Sequence, residues 1–371
     1  MKTNNGRPAL WTKDFILAFL SNLLMFFSFY MLIPVLPFYV IGNLGTSETI
    51  AGVVIALYTI SALVIRPFSG YLVDKFSRKP LYLLCYGCFC AAFAGYAVAA
   101  SLMLFILIRI FHGFGFGIST VSGSTVAVDI MPSERRGEGI GYYGMAASLA
   151  MATGPFIGLW MFGQYDFMVI FMASFIASLV GFICILFITP IKKPVVHDSE
   201  KPKMSLDRFI LVNALPCVIL LLFQGFGYGA VSNFIGLYSE EAGMSGHAGL
   251  FFLVFAIGIV CARLLTAKSI NNGRVVKVIF IGSVLLIVSF ILFTVDTMNI
   301  FLFYSIALIS GAGYGHINPA FQSMYINMGG GDTIKAARQT PHTSRSGILE
   351  SGSELRREDS LSKNSIFTCF S

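Results

Sequence analysis

The sequence predicts an all-α membrane protein whose helices cross the bilayer about ten times. Only 12% of its 371 residues are charged and 56% are hydrophobic, whereas about 25% of the residues of a soluble protein are charged. The mean hydropathy is +0.79. A helix needs about 20 apolar residues to cross the hydrocarbon core. Ten such runs occur, at approximately 15–42, 50–69, 80–99, 102–127, 138–162, 167–190, 208–238, 247–267, 275–295 and 300–326.

The first span follows a short polar segment, Met1–Asp14. The apolar run is too long for a signal peptide and no small-residue cleavage site follows a short core, so we expect this segment to enter the first helix without cleavage. Lys and Arg are retained in cytoplasmic loops, and alternate loops of the chain differ in this respect. The loops predicted to be cytoplasmic hold Lys75, Arg78, Lys79, Arg135, Arg136, Lys192, Lys193, Lys201, Lys203, Lys268, Arg274 and Lys277. The opposite loops hold Glu48, Asp166, Glu240, Glu241, His247 and Asp296, and no Lys or Arg. This bias predicts a cytoplasmic N-terminus.

The chain divides into two parts at a polar stretch that contains Pro194 and Pro202. Proline and charged residues between apolar runs are typical of a linker. We predict an N-terminal six-helix half at 1–190, a cytoplasmic linker at 191–207, and a partial C-terminal half of four helices at 208–328.

An internal repeat supports two related halves. Arg66 near the end of the second span corresponds to Arg263 near the end of the eighth. Three alternating glycines in the fourth span correspond, at nearly the same offset, to three in the tenth. These are Gly113, Gly115 and Gly117, and Gly311, Gly313 and Gly315. Because the glycines lie inside apolar runs with no Walker lysine, close helix packing explains them better than nucleotide binding.

A short polar stretch, residues 70–79, connects the second and third spans. Its glycine permits close approach of two helix ends, and the carboxylate of Asp74 can meet cations or a helix N-terminus. The stretch resembles the loop between helices two and three of the major facilitator superfamily, whose pattern is G-x-L-x-D-(R/K)-x-G-(R/K)-(R/K). Ser77 replaces the second glycine of that pattern. The matching residues are Gly70, Leu72, Asp74, Lys75, Arg78 and Lys79. The resemblance covers Trp11–Met328 and implies a fold of two six-helix halves.

The fourth span contains Arg109, a charge that costs at least about 2.5–3.5 kcal/mol at the centre of a membrane helix. It therefore needs a partner or a wet cavity. Arg109 and Gly113 resemble the family's pattern L-x-x-R-x-x-x-G, which implies a role in proton coupling or in the substrate cavity. The alternative is a side chain that extends to the outer interface. His112, three residues on, could modulate the charge of Arg109 or simply be hydrogen-bonded.

The family resemblance also implies that Asp74, Arg78 and Asp129 form a charge cluster that latches the inner gate; a solvated surface pair is the alternative. Gly154, Pro155 and Gly158 in the fifth span resemble the G-P-x-x-G-G pattern of proton-driven exporters, with Leu159 in place of the last glycine. The pair Gly-Pro permits a bend and tight packing. Further polar residues at bilayer depth either line a central cavity or form interhelical hydrogen bonds: Gln224, Asn233, His316, Asn318 and Gln322.

The chain changes character after Met328. Residues 329–371 are rich in Ser, Arg and Glu and contain no apolar run of membrane length, so we predict a disordered, aberrant tail. Family members continue with two more helices. A shifted reading frame across Ala337–Leu361 could encode a Gly- and Ala-rich helix, and we interpret the chain as truncated or frameshifted after the tenth helix. A genuine regulatory tail is the alternative.

Other functional classes find little support. Cys85, Cys88 and Cys90 lie on one apolar helix without a partner His, so packing explains them better than a metal site. The cations behind the net charge of +7 are dispersed over short loops, which argues against nucleic-acid binding. No nucleophile–base set suggests an enzyme, and no ATPase module is present. We predict no cofactor, and transport would draw on a proton gradient.

The resemblance therefore implies a multi-pass cell-membrane transporter, a monomer that exports a small drug-like or metabolic solute by alternating access in exchange for protons. Phe15–Val40 contains neither Asp nor Glu, although several drug antiporters of the family carry an acidic residue in their first helix. A sugar or nutrient uptake carrier and an inactive truncated product are the alternatives.

Overall fold

In a computed structural model, the chain is helical and contains no strand in the parts that the structure describes, which are residues 8–132, 135–189, 215–244, 246–271, 273–295 and 299–329. The predicted all-α membrane class is confirmed. Ten long helices occur in these ranges: α1 (Lys13–Leu32), α2 (Glu48–Lys75), α3 (Arg78–Ala97), α4 (Leu102–Ile130), α5 (Arg136–Phe162), α6 (Phe167–Leu186), α7 (Leu215–Glu241), α8 (Ala248–Asn271), α9 (Val275–Phe293) and α10 (Ile300–Gly329). Among the described residues, all of these except α7 are long and apolar enough to cross a membrane by composition.

The helices begin where the sequence supplies capping side chains. The hydroxyls of Thr12, Ser47 and Ser101 accept hydrogen bonds from backbone N–H groups three residues on, at 3.3–3.4 Å, and so start α1, α2 and α4. A helix N-terminus has N–H groups without intrahelical partners, and a side-chain oxygen satisfies one of them. These caps place the helix starts within a few residues of the predicted spans.

The first predicted span, 15–42, is not one continuous helix. After α1 the chain forms a short helix at Leu36–Phe38 and a π-helical turn at Tyr39–Asn43. Pro34 explains the break, because it has no N–H and its ring clashes with the carbonyl of the residue four positions earlier, Tyr30. The prediction of a single span was wrong here.

The connection predicted over residues 70–79 is also shorter than expected. Helix α2 continues to Lys75 and α3 begins at Arg78, so only Phe76 and Ser77 separate the two helices. Hydropathy ends the second span too early and starts the third span too late, because the helix ends at this junction are charged. Gly70 and Leu72 are therefore helical residues and not loop residues.

The described residues divide into two compact units, one within residues 8–189 and 225–256 and the other within residues 215–224 and 257–329. The predicted linker, 191–207, lies within residues 190–214, outside the described residues, so the predicted halves stay a prediction. The tail predicted at 329–371 likewise lies, apart from its first residue, outside them.

Within the first unit, α2 and α3 both pack against α4 at glycines. A Cβ at Gly113 or Gly117 would lie within 3 Å of α2, and one at Gly115 about 3.0 Å from the backbone of α3. In the second unit the tenth helix repeats this arrangement, because Gly315 meets α8 and Gly313 meets α9. Small residues let helix backbones approach closely in membranes. The same alternation in both units agrees with the internal repeat that the sequence predicts.

Candidate functional site

Arg109 lies inside the first unit, with only 3% of its surface exposed. Its Nη2 donates to the backbone carbonyl of Ile55 at 3.4 Å, and its guanidinium carbon lies 4.6 Å from the ring centroid of Tyr58. No carboxylate of the described residues pairs with it. The side chain thus stays within the helices and does not extend to the outer interface. An aromatic face partly compensates a buried cation.

His112 lies one turn further along α4 and is 1% exposed. Its Nδ1 is 2.7 Å from the hydroxyl of Tyr96, and its ring packs on Phe89 and Phe93 at centroid distances of 4.6 and 4.7 Å. Arg109 lies near enough to act electrostatically on His112. Two positive charges in an apolar site repel strongly. A second positive charge on His112 is therefore unfavourable while Arg109 lies in its present position.

Two tyrosines complete this cluster, and sequence reasoning missed both. Tyr58 comes from α2 and Tyr96 from α3; both are buried. In an apolar run a tyrosine has the same pattern as a packing residue, so only the contact with Arg109 and His112 distinguishes these two. Tyr96 also lines a cavity of about 310 Å³, together with Tyr39, Asn43, Ala97, Asp166, Phe167, Met168 and Phe171.

Two of the predicted cavity residues meet in the second unit. The amide nitrogen of Gln224 donates to Oδ1 of Asn318 at 2.7 Å, and the hydroxyl of Tyr314 donates to the backbone carbonyl of Gln224 at 3.2 Å. The side chain of Gln322 lies outside what the structure describes.

The other two bond within their own helices. Asn233 donates to the carbonyl of Gly229 at 2.7 Å, and Nδ1 of His316 lies 2.8 Å from the carbonyl of Ala312. Interhelical bonding thus holds for Gln224 and Asn318 and does not hold for these two.

Arg78 and Lys79, two charged residues that match the family's loop pattern, lie at the junction of α2 and α3, and each has its own partner. Arg78 forms an ion pair with Asp129 at the end of α4, and their side chains are only 11% and 16% exposed. Nζ of Lys79 donates to the carbonyls of Leu186 and Ile188 at 2.9 and 2.5 Å. A cation at a helix C-terminus satisfies its last carbonyls.

Two further charged residues of the loop pattern, Lys75 and Asp74, lie at the end of α2. Nζ of Lys75 lies 5.6 Å from the ring centroid of Tyr71. The position of Asp74 is the penultimate residue of α2, and its side chain lies outside the described part. Its predicted place in the latch remains a prediction.

The Arg78–Asp129 pair should contribute more to stability than an exposed ion pair does. We expect R78Q and D129N to lower the free energy of unfolding with a coupling of about 1–2 kcal/mol in a double-mutant cycle, because both side chains are mostly buried. Denaturation of the purified protein by sodium dodecyl sulfate measures this coupling. The more exposed pair Arg135–Glu138 provides the matched cycle and should show much weaker coupling. Equal couplings would mean that burial adds nothing.

The glycine–proline segment of α5 lies against the end of α1. A Cβ at Gly154 would lie 2.7 Å from Cβ of Tyr30, and one at Gly158 would overlap the carbonyl oxygen of Met31. The helix continues through Pro155. The tight packing expected from the sequence is present, at the turn of α1 that precedes its break.

Comparison with known proteins extends the resemblance. The sequence profile described as Major Facilitator Superfamily matches residues 18–333. The chain is 24% identical to the staphylopine export protein of Staphylococcus aureus, over 76% of this chain and 73% of that protein. It is 27% identical to the quinolone resistance protein NorA of the same species, over 62% of this chain and 59% of NorA. The chain thus spans less than two thirds of NorA.

Solved structures with the same fold have little sequence identity to the chain. The human organic anion transporter MFSD10 (TETRAN) superposes with a TM-score of 0.62 at 17% identity, covering 86% of each chain. A peptide transporter, POT, gives 0.67 at 14% identity over 88% of this chain and 84% of its own. A D-xylose–proton symporter gives 0.60 at 14% identity, over 84% and 82%. Identities this low show the fold alone.

Proposed function

Because the chain belongs to the Major Facilitator Superfamily, we propose that it exports a small drug-like or metabolic solute in exchange for protons. It is a multi-pass membrane transporter and not an enzyme. Export is favoured by the two curated relatives named above, one called an export protein and the other a resistance protein. The solute would cross by alternating access, driven by a proton gradient, with no cofactor. We place the N-terminus in the cytoplasm on loop charge and expect a monomer.

The observation that supports coupling is the buried pair of Arg109 and His112. Each has 3% or less of its surface exposed, and the two sit one helical turn apart on α4. Because His112 is buried and lies beside the positive charge of Arg109, it would take a proton when its site opens to water and Arg109 moves away or is neutralised. A conformational change that separates them would link proton uptake to the transport cycle. The ion pair of Arg78 with Asp129 would help to hold the closed inner end.

Uptake of a sugar is the second candidate, because an uptake carrier such as the D-xylose–proton symporter has the same fold. Export would fill inside-out vesicles with solute, whereas uptake would fill right-side-out vesicles. We expect energised inside-out vesicles to accumulate a fluorescent quinolone, and an uncoupler to abolish this accumulation. Vesicles that lack the protein give the control. If inside-out vesicles that contain the protein do not accumulate the quinolone, and right-side-out vesicles show uncoupler-sensitive xylose entry, export is overturned in favour of uptake.

A further inference from the structure

Three contacting residues of the Arg109 cluster each have a buried polar atom without a hydrogen-bond partner. These atoms are the hydroxyl of Tyr58, Nε of Arg109 and Nε2 of His112, and their residues are 2%, 3% and 1% exposed. The rings of Tyr58 and His112 are 5.0 Å apart, and the guanidinium lies over the Tyr58 ring. Buried polar groups are nearly always hydrogen-bonded. Three orphaned atoms in one cluster therefore indicate a missing partner.

All three atoms are able to donate. The guanidinium has donors only, and a phenol can donate. The hydroxyl of Tyr96 lies 2.7 Å from Nδ1 of His112, and when this hydroxyl donates, the imidazole accepts at Nδ1. A neutral imidazole that accepts at Nδ1 carries its hydrogen on Nε2. The missing partner is thus an acceptor.

The surrounding charge specifies an anionic acceptor. Every Asp and Glu in the described helices lies within the first or last three residues of its helix, whereas Arg66 and Arg109 lie well inside α2 and α4. No acidic side chain of the described part neutralises Arg109. A buried cation without a counter-charge is costly, and a carboxylate can accept several hydrogen bonds and form a two-pronged pair with a guanidinium.

We infer that Tyr58, Arg109 and His112 form a binding site for the carboxylate of the transported solute, which makes that solute a small organic anion. This inference rests on the proposed transport function and adds the substrate class to it. In the present conformation the rings of Phe29 and Phe116 lie 4.9 and 5.6 Å from that of Tyr58. A ligand would reach the site when these rings move away from Tyr58.

Three probes of nearly equal shape test the charge directly: benzoate, neutral benzamide and cationic benzylammonium. Their effect on the thermal unfolding temperature of the purified full-length protein in detergent measures binding without any need for transport. We expect benzoate at tens of millimolar to raise this temperature and the other two to leave it unchanged. Stabilisation by all three alike, by benzylammonium alone, or by none would overturn the proposal.

Variants locate the binding. Y58F should weaken benzoate binding about 5- to 10-fold and R109Q about 10- to 100-fold, in line with the loss of a neutral or a charged hydrogen bond. Y86F is the control, because the Tyr86 hydroxyl is buried but donates to the carbonyl of Ser21 at 3.1 Å, and it should keep full affinity. If Y58F and R109Q also keep full affinity, the three atoms are satisfied by internal water only, and the site is refuted.

The proposed function and this site can fail separately. Benzoate binding with the expected variant effects, but without solute flux in proteoliposomes, would retain the site and reject the carrier. Quinolone flux that is unaffected by Y58F, in a protein that benzoate does not stabilise, would retain the carrier and reject the site.

Discussion

R109Q should reduce solute transport about 10- to 100-fold while the protein still reaches the membrane in normal amount. Arg109 is the only cation of the cluster with Tyr58 and His112, and a hydrogen bond to a charged group contributes about 1.5–3 kcal/mol, which corresponds to this range of rates. Glutamine keeps part of the length and polarity but removes the charge. Initial rates in inside-out vesicles, normalised to protein detected in the membrane, provide the measurement.

R109K separates charge from geometry at the same position. Lysine keeps the positive charge, but it lacks the planar fork and stacks less well on an aromatic ring, so we expect an intermediate rate. R135Q is the matched control, because it removes an arginine that pairs with Glu138 at the start of α5 and should transport normally. Normal rates in R109Q would remove Arg109 from the transport mechanism.

The fold was largely predictable because its main determinant, apolar length, is local in the sequence. Hydropathy identifies the long helices, and the alternating glycines of α4 predict close helix packing, although not the helices that they contact. Hydropathy misplaced the helix breaks and helix ends that depend on single residues. Pro34 interrupts the first span without lowering its hydropathy, and the charged last turn of α2 reads as a loop although it is helical.

The candidate site was predictable only where charge is conspicuous. Arg109 stands out because an arginine in an apolar run requires an explanation. Asp129 and Arg78 stand out as charges next to the predicted fourth and third spans. Tyr58 and Tyr96 do not stand out, since their role arises from three helices that bring them to α4. Lys79 was predicted in a gating loop, whereas its ammonium group caps the carbonyls at the end of α6. Sequence spacing carries no information about such contacts between distant segments.

G158A should destabilise the protein by about 3 kcal/mol, near the upper end of the range for overpacked sites. The added methyl would overlap the backbone carbonyl oxygen of Met31. A backbone oxygen inside a helix cannot rotate away as a side chain can, so α1 and α5 would have to separate. This loss exceeds the gain of about 1 kcal/mol that alanine brings over glycine in a helix. The thermal unfolding temperature in detergent should fall accordingly.

The same helix supplies the control for this substitution. Gly141 also lies in α5, but a Cβ there would meet no atom within 4 Å, so G141A should be neutral or slightly stabilising through helix propensity alone. The difference between the two variants isolates the contact with α1 from every general effect of alanine. If G158A is as stable as G141A, α1 and α5 do not approach at Met31, and the tight packing inferred from the glycine–proline segment is wrong. If G158A unfolds at a lower temperature, close contact between these helices is an energetic requirement of the first unit.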